Sequence, residues 1–283
     1  MANAGVVDIG WLELLLATGF VVLAGGLSLL LDLGLVKDIT IATVRTYVQL
    51  LALGFVLTFV FAHQRWWLTV LYIFVMTVMA AWIILSRAPD APKGIFASSA
   101  FSMALTGFIV TFAVTGLVVR VQPWYRAQYV IPIAGMVVGN SMTGIALALE
   151  RMFADLELRA EEVRALLALG ATPAEAARPS VRSAVRAGAI PTISSMAAVG
   201  IVFIPGMMTG QILAGADPVR ASKYQIVVML MVSAAELLGS VMAVLLSYRH
   251  RFTAEGVYLE RGFRGDAEVP DGGLRRHRGA GSS

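Results

Sequence analysis

Seven long apolar segments dominate this sequence and limit what the chain can fold into. They cover residues 11–35, 39–62, 66–85, 95–119, 129–149, 189–213 and 224–248. A helix needs roughly 20 mostly apolar residues to cross the hydrocarbon core of a bilayer. The chain is 58% hydrophobic and only 14% charged, whereas about a quarter of a soluble domain is charged. The sequence therefore predicts an all-α, polytopic membrane protein with about seven transmembrane helices.

The distribution of lysine and arginine predicts how these spans are oriented. Sixteen of the 22 basic residues lie in alternate connections and in the C-terminal tail, on one side of the membrane. Five lie on the other side, and Arg45 lies inside the second span. Because basic residues concentrate on the cytoplasmic side, we expect the N-terminus outside and the C-terminus in the cytoplasm. The predicted location is the cell (inner) membrane, which the chain crosses several times.

The chain divides into a membrane domain over residues 1–248 and a tail over 249–283. The tail is polar and rich in glycine and arginine, so it cannot bury a core and is predicted to be disordered. The formal net charge is +4, but the basic residues lie where a membrane protein places them. The sequence therefore predicts that the chain is surrounded by a lipid bilayer and has no nucleic-acid partner.

The longest connection between spans, residues 155–188, predicts two short helices with a tight turn between them. We call this segment the elbow. Its first helix, over residues 155–169, is predicted to be amphipathic and to end at Gly170, since glycine tolerates the left-handed conformation of a helix end. Thr172 is suited to cap a second helix, Pro173 to its first position, and Glu175 to a capping box with Thr172.

The second elbow helix carries a basic face. Arg178, Arg182 and Arg186 recur every four residues, so they lie on one side of the helix. Pro179 is predicted to kink this helix, because it lacks a backbone N–H. Two interpretations stay open on these residues alone: a helix pair lying along the lipid headgroups, or a coupling element that a partner protein grips.

A resemblance favours the coupling element. The string "RALLALGATPAEAARPSVRSAVRAGAIP" resembles the cytoplasmic loop of ABC transporter permeases that docks into an ATPase subunit. It departs from the importer form of that loop at one position. Importers have a glutamate six residues before the glycine, and this chain has Arg164 there. The resemblance implies ATPase-coupling roles for Glu162, Leu166, Leu169, Gly170, Thr172, Pro173, Arg178 and Arg182.

Three further strings narrow the resemblance to one family. They are "RTYVQLLALGF" (45–55), "PIAGMVVGNSMTGIALALERM" (132–152) and "IPTISSMAAVGIVFIPGMMTGQILAGADP" (190–218), and together they resemble the FetB (YbbM) family of permeases. Plant aluminium-tolerance half-transporters are similar. The resemblance implies an ABC exporter subunit for a metal ion, iron first, or a metal-related solute. It also implies a separate FetA-like ATPase and a homodimer.

The sequence contains no G-x-x-x-x-G-K-[ST] phosphate-binding loop. A chain without that loop is not expected to hydrolyse ATP by the usual route. We therefore expect ATP and magnesium on the partner ATPase, no cofactor in this chain, and no enzymatic activity of its own.

The sixth span is interrupted by residues that disfavour a regular helix. Pro205 removes one backbone donor, and three glycines surround it. Such breaks at membrane depth are tolerated where protein or a water-filled cavity surrounds them, and the freed carbonyls can act as ligands. A simple kink for close helix packing explains the pattern equally well. The candidates for a substrate path here are Pro205, Met207, Met208 and Gln211.

The fifth span places an amide and a hydroxyl at membrane depth. Asn140 and Thr143 lie in the string "GNSMTG". They are candidates for the substrate path, and hydrogen bonding between helices explains them without a substrate.

Glu236 is the most informative single residue, because it lies near the middle of the seventh span. An unpaired carboxylate costs several kcal/mol there, so it must be protonated, paired or facing a cavity. Arg45 in the second span, with Gln49 one turn later on the same face, is a candidate partner. Either Glu236 forms a structural pair with Arg45, or it belongs to a substrate path.

The side chains available as metal ligands exclude a site of histidine and cysteine within the spans. The chain has no cysteine, and its three histidines fall outside the spans. Ferric iron prefers oxygen ligands, which leaves Glu236, Asp32 and carbonyl groups; the thirteen methionines are better explained by packing. The rival hypothesis is a self-sufficient secondary transporter or channel that uses Glu236 and Asp32 as a proton relay.

Overall fold

The computed structural model describes residues 9–87 and 94–259. The described residues form helices joined by short connections, with no strand among them, which confirms the predicted all-α class. Its helices are α1 (Trp11–Leu30), α2 (Val36–His63), α3 (Trp66–Arg87), α4 (Ile95–Ala113), α5 (Ala127–Leu158), α6 (Ala160–Ala168), α7 (Pro173–Ala198), α8 (Gly206–Leu213) and α9 (Pro218–Ser247). A π-helical turn, Val114–Val118, extends α4, and a 3-10 turn, Tyr248–Arg251, follows α9.

Six helices of the described chain are long and apolar enough to cross a membrane. They are α1, α2, α3, α4 with its π turn, α5, and α9 with the turn that follows it. The sixth predicted span, 189–213, is divided into the end of α7 and the short α8. Between them, Gly200 adopts a positive φ of 81°, and its N–H donates to Phe203 O at 2.9 Å. Pro205 caps α8 in an extended conformation, so this span is broken.

α5 lies at the centre of the helix bundle. It packs on α3, α7 and α9, and α4 packs on α3, α5 and α9. Glycines allow the closest approach. A Cβ atom at Gly188 of α7 would lie 2.7 Å from the Gly144 carbonyl oxygen of α5. A Cβ at Gly239 of α9 would lie 3.0 Å from Ile145 Cδ1. Small residues of this kind let membrane helices pack backbone to backbone.

α1 and α2 form a separate pair that packs chiefly on itself. Only 6% of the most apolar window of each helix is buried within the chain. The two helices are joined by Tyr47, whose hydroxyl donates to Leu14 O at 2.9 Å and lies 2.6 Å from the Thr18 hydroxyl oxygen. Most of the surface of this pair therefore faces its surroundings.

The elbow is built from the end of α5, α6, a tight turn and the start of α7. The predicted first helix, 155–169, is divided at Arg159, where α5 ends and α6 begins. Gly170 has a φ of +93°, and the N–H of Ala171 donates to Leu166 O at 3.0 Å. This confirms the predicted glycine end. The Thr172–Glu175 capping box is also present.

α7 is a single helix that links the elbow to the membrane. It runs from Pro173 to Ala198 without interruption, because both Pro179 and Pro191 are accommodated inside it. Pro179 therefore does not end the helix, and the predicted kink at this position stays a prediction. At 1.5 Å per residue, the 26 residues of α7 span roughly 39 Å.

The segment after α9 packs against the elbow. The sequence suggests that the tail begins at 249, but residues 249–259 lie on the bundle. Phe252 and Tyr258 are buried in the same cluster as Phe153 of α5. Arg251 forms an ion pair with Glu157 at 3.6 Å. Residues 260–283, which make up most of the predicted tail, lie outside the described residues.

Candidate functional site

Glu236 lies at the junction of α5, α7 and α9. Its side chain is only 3% exposed. Gly144 of α5 provides the space, since a Cβ atom there would lie 2.6 Å from Glu236 Oε1. The hydroxyl of Thr192, on α7, donates a hydrogen bond to Glu236 Oε2. The carboxyl group therefore bridges two helices where a third helix passes against it.

Two further hydroxyl groups are buried on helices of this junction. The Ser141 hydroxyl of α5 and the Ser240 hydroxyl of α9 are both buried without a hydrogen-bond partner. Ser240 Oγ also lies close to Gly188, at 3.1 Å from the position of a Cβ. We call Glu236, Thr192, Ser141 and Ser240 the buried oxygen cluster. Oxygen donors of this kind suit hard cations and protons.

A cage of histidine, cysteine and carboxylate ligands for a metal ion, hard or soft, is absent from the described chain. Residues 9–87 and 94–259 contain no group of three or more histidine, cysteine, aspartate or glutamate side chains placed to hold a metal ion. Asp32, a predicted relay carboxylate, is exposed at the end of α1. Glu236 therefore has the chemistry of a single carboxylate among hydroxyl groups.

The predicted pair between Glu236 and Arg45 is not formed. Arg45 and Gln49 are exposed on α2, and α2 has few contacts with the bundle outside α1. Glu236 is instead bound by Thr192, which lies on α7. The prediction failed because it assumed that α2 packs beside α9, and the structure places α5, α7 and α4 there.

Asn140 and Thr143 are exposed on one face of α5. Asn140 Nδ2 donates to Met136 O at 2.7 Å, and Thr143 Oγ1 donates to Gly139 O at 3.4 Å. Both side chains thus bond to their own helix, and the hydrogen bonding between helices that we considered for them is not formed here. They remain accessible from outside the bundle.

The candidates on α8 are divided between two cavities. Met207 and Gln211 line a cavity of about 260 Å³ beside α5 and α9. Pro205 and Met208 line another of about 450 Å³, and Ser222 on α9 lies close to Met208. From Ser222 to Glu236 the chain rises roughly 21 Å along α9. The structure therefore does not bring the α8 candidates together with Glu236.

The elbow exposes apolar side chains outside the predicted spans. Leu158 and Leu169 are each 85% exposed, whereas Leu166 packs against the core. Arg159 Nε donates to Glu162 Oε2 at 2.9 Å, and this hydrogen bond lowers the pKa of the Glu162 carboxyl. The elbow thus presents two leucine side chains on its surface, near a hydrogen-bonded arginine–glutamate pair.

The remaining predicted coupling residues lie at the start of α7. The backbone N–H and the hydroxyl of Thr172 donate to Glu175 Oε2 at 2.8 and 2.7 Å. These bonds lower the pKa of the Glu175 carboxyl. Pro173 occupies the first turn of the helix. Arg178 and Arg182 are exposed further along it.

Comparison with known proteins identifies the family. The family model described as "Uncharacterised protein family (UPF0014)" matches residues 11–252. The chain belongs to this family. The match spans all the helices described above, so the buried oxygen cluster and the elbow both lie within the UPF0014 region.

Named relatives of this UPF0014 chain come from bacteria and plants. A UPF0014 membrane protein of Synechocystis is 36% identical over 248 residues, which cover 87% of this chain and 93% of that protein. The Escherichia coli protein named "Probable iron export permease protein FetB" is 36% identical over 237 residues, covering 84% and 90%. The Arabidopsis thaliana "Protein ALUMINUM SENSITIVE 3" is 34% identical over 234 residues, covering 82% and 84%. No solved structure matches the chain.

These relatives confirm the resemblance to the FetB-type family that the sequence strings indicate. They also agree with the six apolar helices of the structure. The UPF0014 chain is therefore a multi-pass membrane protein.

Sequence reasoning missed the residues that surround Glu236. Thr192, Gly188 and Gly144 make the junction, but none of them was a candidate. A signal was present, because small residues four apart on α7, such as Gly188 and Thr192, are typical of a helix-packing face. What the pattern cannot give is which helix that face meets.

Proposed function

We propose that this chain is the membrane subunit of an ABC-type exporter, driven by a separate FetA-like ATPase. Its cargo is a metal ion, iron first, or a metal-containing solute. Two copies form the transporter, because one copy has too few helices to enclose a path. ATP and magnesium are bound by the partner, and this chain carries neither a cofactor nor an enzymatic step.

One observation carries the proposal: a single helix joins the exposed elbow to the buried oxygen cluster. α7 begins at the capping box of Thr172 and contains Thr192, which binds Glu236. These two threonines are 20 residues apart, or roughly 30 Å along the helix. Movement of the elbow is thereby transmitted along α7 to the bond between α7 and α9. A transporter without an ATPase has no need for such a lever.

The elbow tip is suited to contact a protein. Leu158 and Leu169 are exposed outside the predicted spans, where lipid tails do not cover them. Exposed apolar side chains with a polar rim mark protein-interaction sites. The elbow lies on the arginine-rich side, which the positive-inside rule makes cytoplasmic, and an ATPase works there.

The buried oxygen cluster supports a hard cation as cargo. Glu236 supplies one carboxylate, Thr192 supplies a hydroxyl bonded to it, and Ser141 and Ser240 supply unpartnered hydroxyls on two helices of the same junction. Ferric iron and similar ions prefer such oxygen donors. The name of the Escherichia coli relative points to the same metal. On this proposal, the cation replaces Thr192 as the partner of Glu236 when α7 and α9 separate.

A second candidate function is a secondary transporter in which Glu236 carries a proton. The isolated buried carboxyl favours it, since intramembrane carboxyl groups serve as proton carriers in many transporters. The predicted second carboxylate, Asp32, is exposed at the end of α1 and not near Glu236. The relay therefore lacks its second member.

The elbow can be tested by changing one exposed leucine. The chain is co-expressed with its ABC ATPase, and Leu169→Glu is compared with Val219→Glu. Val219 is 63% exposed at the start of α9, on the opposite side of the membrane. We expect Leu169→Glu to abolish ATPase co-purification and Val219→Glu to preserve it. Equal co-purification of both variants would contradict the docking role.

The two candidate functions differ in their energy source. Reconstituted with its ATPase in vesicles, the wild type should export iron only when ATP is supplied. Metal should also stimulate ATP hydrolysis, and Glu236→Gln should remove that stimulation. Transport that follows a proton gradient without ATP would support the secondary transporter instead.

A further inference from the structure

An open cleft lies between α5, α7 and α9, on the outside of the bundle. Its volume is about 1150 Å³. Its rim carries three basic side chains, Arg151, Arg182 and Arg186, and its wall is apolar. The main wall residues are Leu147, Ile190 and Leu237. None of the four residues of the buried oxygen cluster lines this cleft.

The rim has unneutralised positive charge. Arg151 lies 3.9 Å from Asp155 and donates to Ser183 Oγ at 3.3 Å. Arg182 and Arg186 are exposed, and no carboxylate of the described chain forms an ion pair with either. They are four residues apart, so one turn of α7 presents both guanidinium groups on the same side.

The wall lies at the depth of one bilayer leaflet. Arg151 and Arg186 fall just outside the apolar segments 129–149 and 189–213, and Leu147 and Ile190 fall just inside them. Leu237 is ten residues before the end of α9, or roughly 15 Å along the helix. This distance is about half of the ~30 Å hydrocarbon core. The cleft thus extends from a basic rim at the membrane surface to near the bilayer midplane.

We infer that this cleft binds an anionic phospholipid from the arginine-rich leaflet. The phosphate of the headgroup lies against Arg182 and Arg186, because guanidinium groups bind phosphate through paired hydrogen bonds. One acyl chain lies along the wall, where Ile190 and Leu237 are about half exposed. Basic pockets between membrane helices bind lipid headgroups in this way. A water-soluble anion fits only the rim.

The occupant also contacts the helix that carries the elbow. Ile190 and Arg186 belong to α7, and Leu147 belongs to α5. A bound lipid therefore holds α7 against α5 on the outer side of the bundle. This inference requires only that α5 and α9 cross a bilayer, and it stands apart from the proposed function.

The inference is tested with the full chain in phosphatidylcholine nanodiscs, titrated with phosphatidylglycerol. Bound lipid is counted by native mass spectrometry. The double variant Arg182→Gln/Arg186→Gln is compared with Arg178→Gln, which alters an exposed arginine on α7 that does not line the cleft. We expect the double variant to bind phosphatidylglycerol about tenfold more weakly, because basic residues near the surface attract anionic lipid. Arg178→Gln should bind like the wild type.

Two further measurements separate a lipid from other occupants. Soluble glycerol 3-phosphate and inorganic phosphate, at matched concentration, should neither bind nor displace phosphatidylglycerol. If either one binds as tightly as the lipid, the cleft is a site for a free anion, and the inference is wrong. Equal retention of phosphatidylcholine and phosphatidylglycerol would also overturn it.

Folding is controlled separately. The melting temperature of each variant is measured in pure phosphatidylcholine before lipid is added. If the double variant is not folded, the single Arg186→Gln variant provides the comparison, and it should show a smaller but measurable loss of phosphatidylglycerol binding. Wild-type binding by a folded Arg186→Gln variant would contradict the role of the rim.

Discussion

The α1–α2 pair and the α5–α7–α9 junction differ in how a similar apolar composition is used. α1, α2, α5 and α9 all qualify as membrane spans. Only 6% of the most apolar window of α1 and α2 is buried in the chain, against 56% for α5 and 44% for α9. Hydropathy therefore identifies a span but does not tell whether it faces lipid or protein. The difference in burial must therefore depend on features other than apolar content.

The surroundings of the glycines show the difference in burial between the two regions. Gly54 of α2 and Gly25 of α1 have open space where a Cβ would lie. Gly144 and Gly188, in contrast, lie against a carboxyl group and a carbonyl oxygen. The same residue type thus marks close packing in one region and has no contact role in the other.

Polar side chains divide in the same way. Thr43 on α2 donates to Ile39 O of its own helix at 2.7 Å. Thr192 on α7 donates instead to Glu236 on a different helix. In lipid, a threonine bonded to its own backbone needs no neighbour, whereas a buried carboxyl group does. The buried carboxyl therefore requires the α5–α7–α9 junction to be closely packed.

The largest expected effect is that of a methyl group added at the junction. Gly188→Ala places a Cβ 2.7 Å from the Gly144 carbonyl oxygen, so α5 and α7 must move apart. Overpacking of this kind costs about 3 kcal/mol. The control is Gly54→Ala, where the space is open, and it should be neutral or stabilising by up to about 1 kcal/mol. Reversible unfolding in mixed micelles measures both, and equal effects would remove the contrast between the regions.

The next largest effect is expected for a threonine that bonds between helices. Thr192→Val keeps the shape but removes the donor to Glu236. The buried carboxyl then lacks its partner, which costs about 2 kcal/mol. The matched control, Thr43→Val, removes a bond within α2 and should change stability very little. Unfolding measurements on both variants decide the outcome.

The same bond can be tested by removing both partners. Glu236→Leu combined with Thr192→Val removes both partners of this bond and leaves neither one unpaired, so it should recover much of the stability lost in Thr192→Val. A double variant that is less stable than Thr192→Val would show that Glu236 is stabilised by groups other than Thr192.

The sequence allowed the spans and the elbow caps to be predicted, because both depend on local chemistry. The Gly170 end and the Thr172–Glu175 box need only residues within a few positions of one another. The six continuous spans follow from apolar length alone. The division of the elbow at Arg159 and the packing of 249–259 depend on tertiary contacts, and they were not foreseen.

The partner of Glu236 could not be predicted for the same reason. Thr192 and Glu236 are 44 residues apart, and the apolar pattern of α7 does not encode which helix it meets. Arg45 was the expected partner because opposite charges at membrane depth attract. That argument ignores position, and α2 lies outside the bundle in which Glu236 is buried. The sequence therefore indicates that Glu236 is important, but only the structure identifies the residues around it.

A smaller effect is expected at the elbow, which belongs to neither region. Thr172→Ala removes the capping hydroxyl at the start of α7 and should cost about 1 kcal/mol. Hydrogen exchange should show faster opening of the first turn of α7 and an unchanged α9. If Thr172→Ala leaves the protection of that turn unchanged, then packing, and not the cap, holds the start of α7 in place.

The cap also has a defined pH dependence. The Thr172 backbone N–H lowers the pKa of the Glu175 carboxyl, so the ionised form is favoured in the folded state. Its contribution is complete above the ordinary glutamate pKa and is lost as the pH falls through the lowered value. The protection factor of the first turn, which is corrected for the intrinsic pH dependence of exchange, should therefore fall only in acid, below about pH 4.5. Glu175→Gln should remove this dependence.

The smallest effect is expected for the link between α1 and α2. Tyr47→Phe removes the hydroxyl that donates to Leu14 O and contacts Thr18. Hydrogen bonds between membrane helices are worth about 0.6 kcal/mol on average, and α1 and α2 have few contacts with the rest of the bundle. We therefore expect a small loss of stability, together with wider separation of spin labels on α1 and α2, while labels on α5 and α9 keep their distance. A change in the α5–α9 distance would show that the pair supports the junction, and the two regions would then have to be treated as one packing unit.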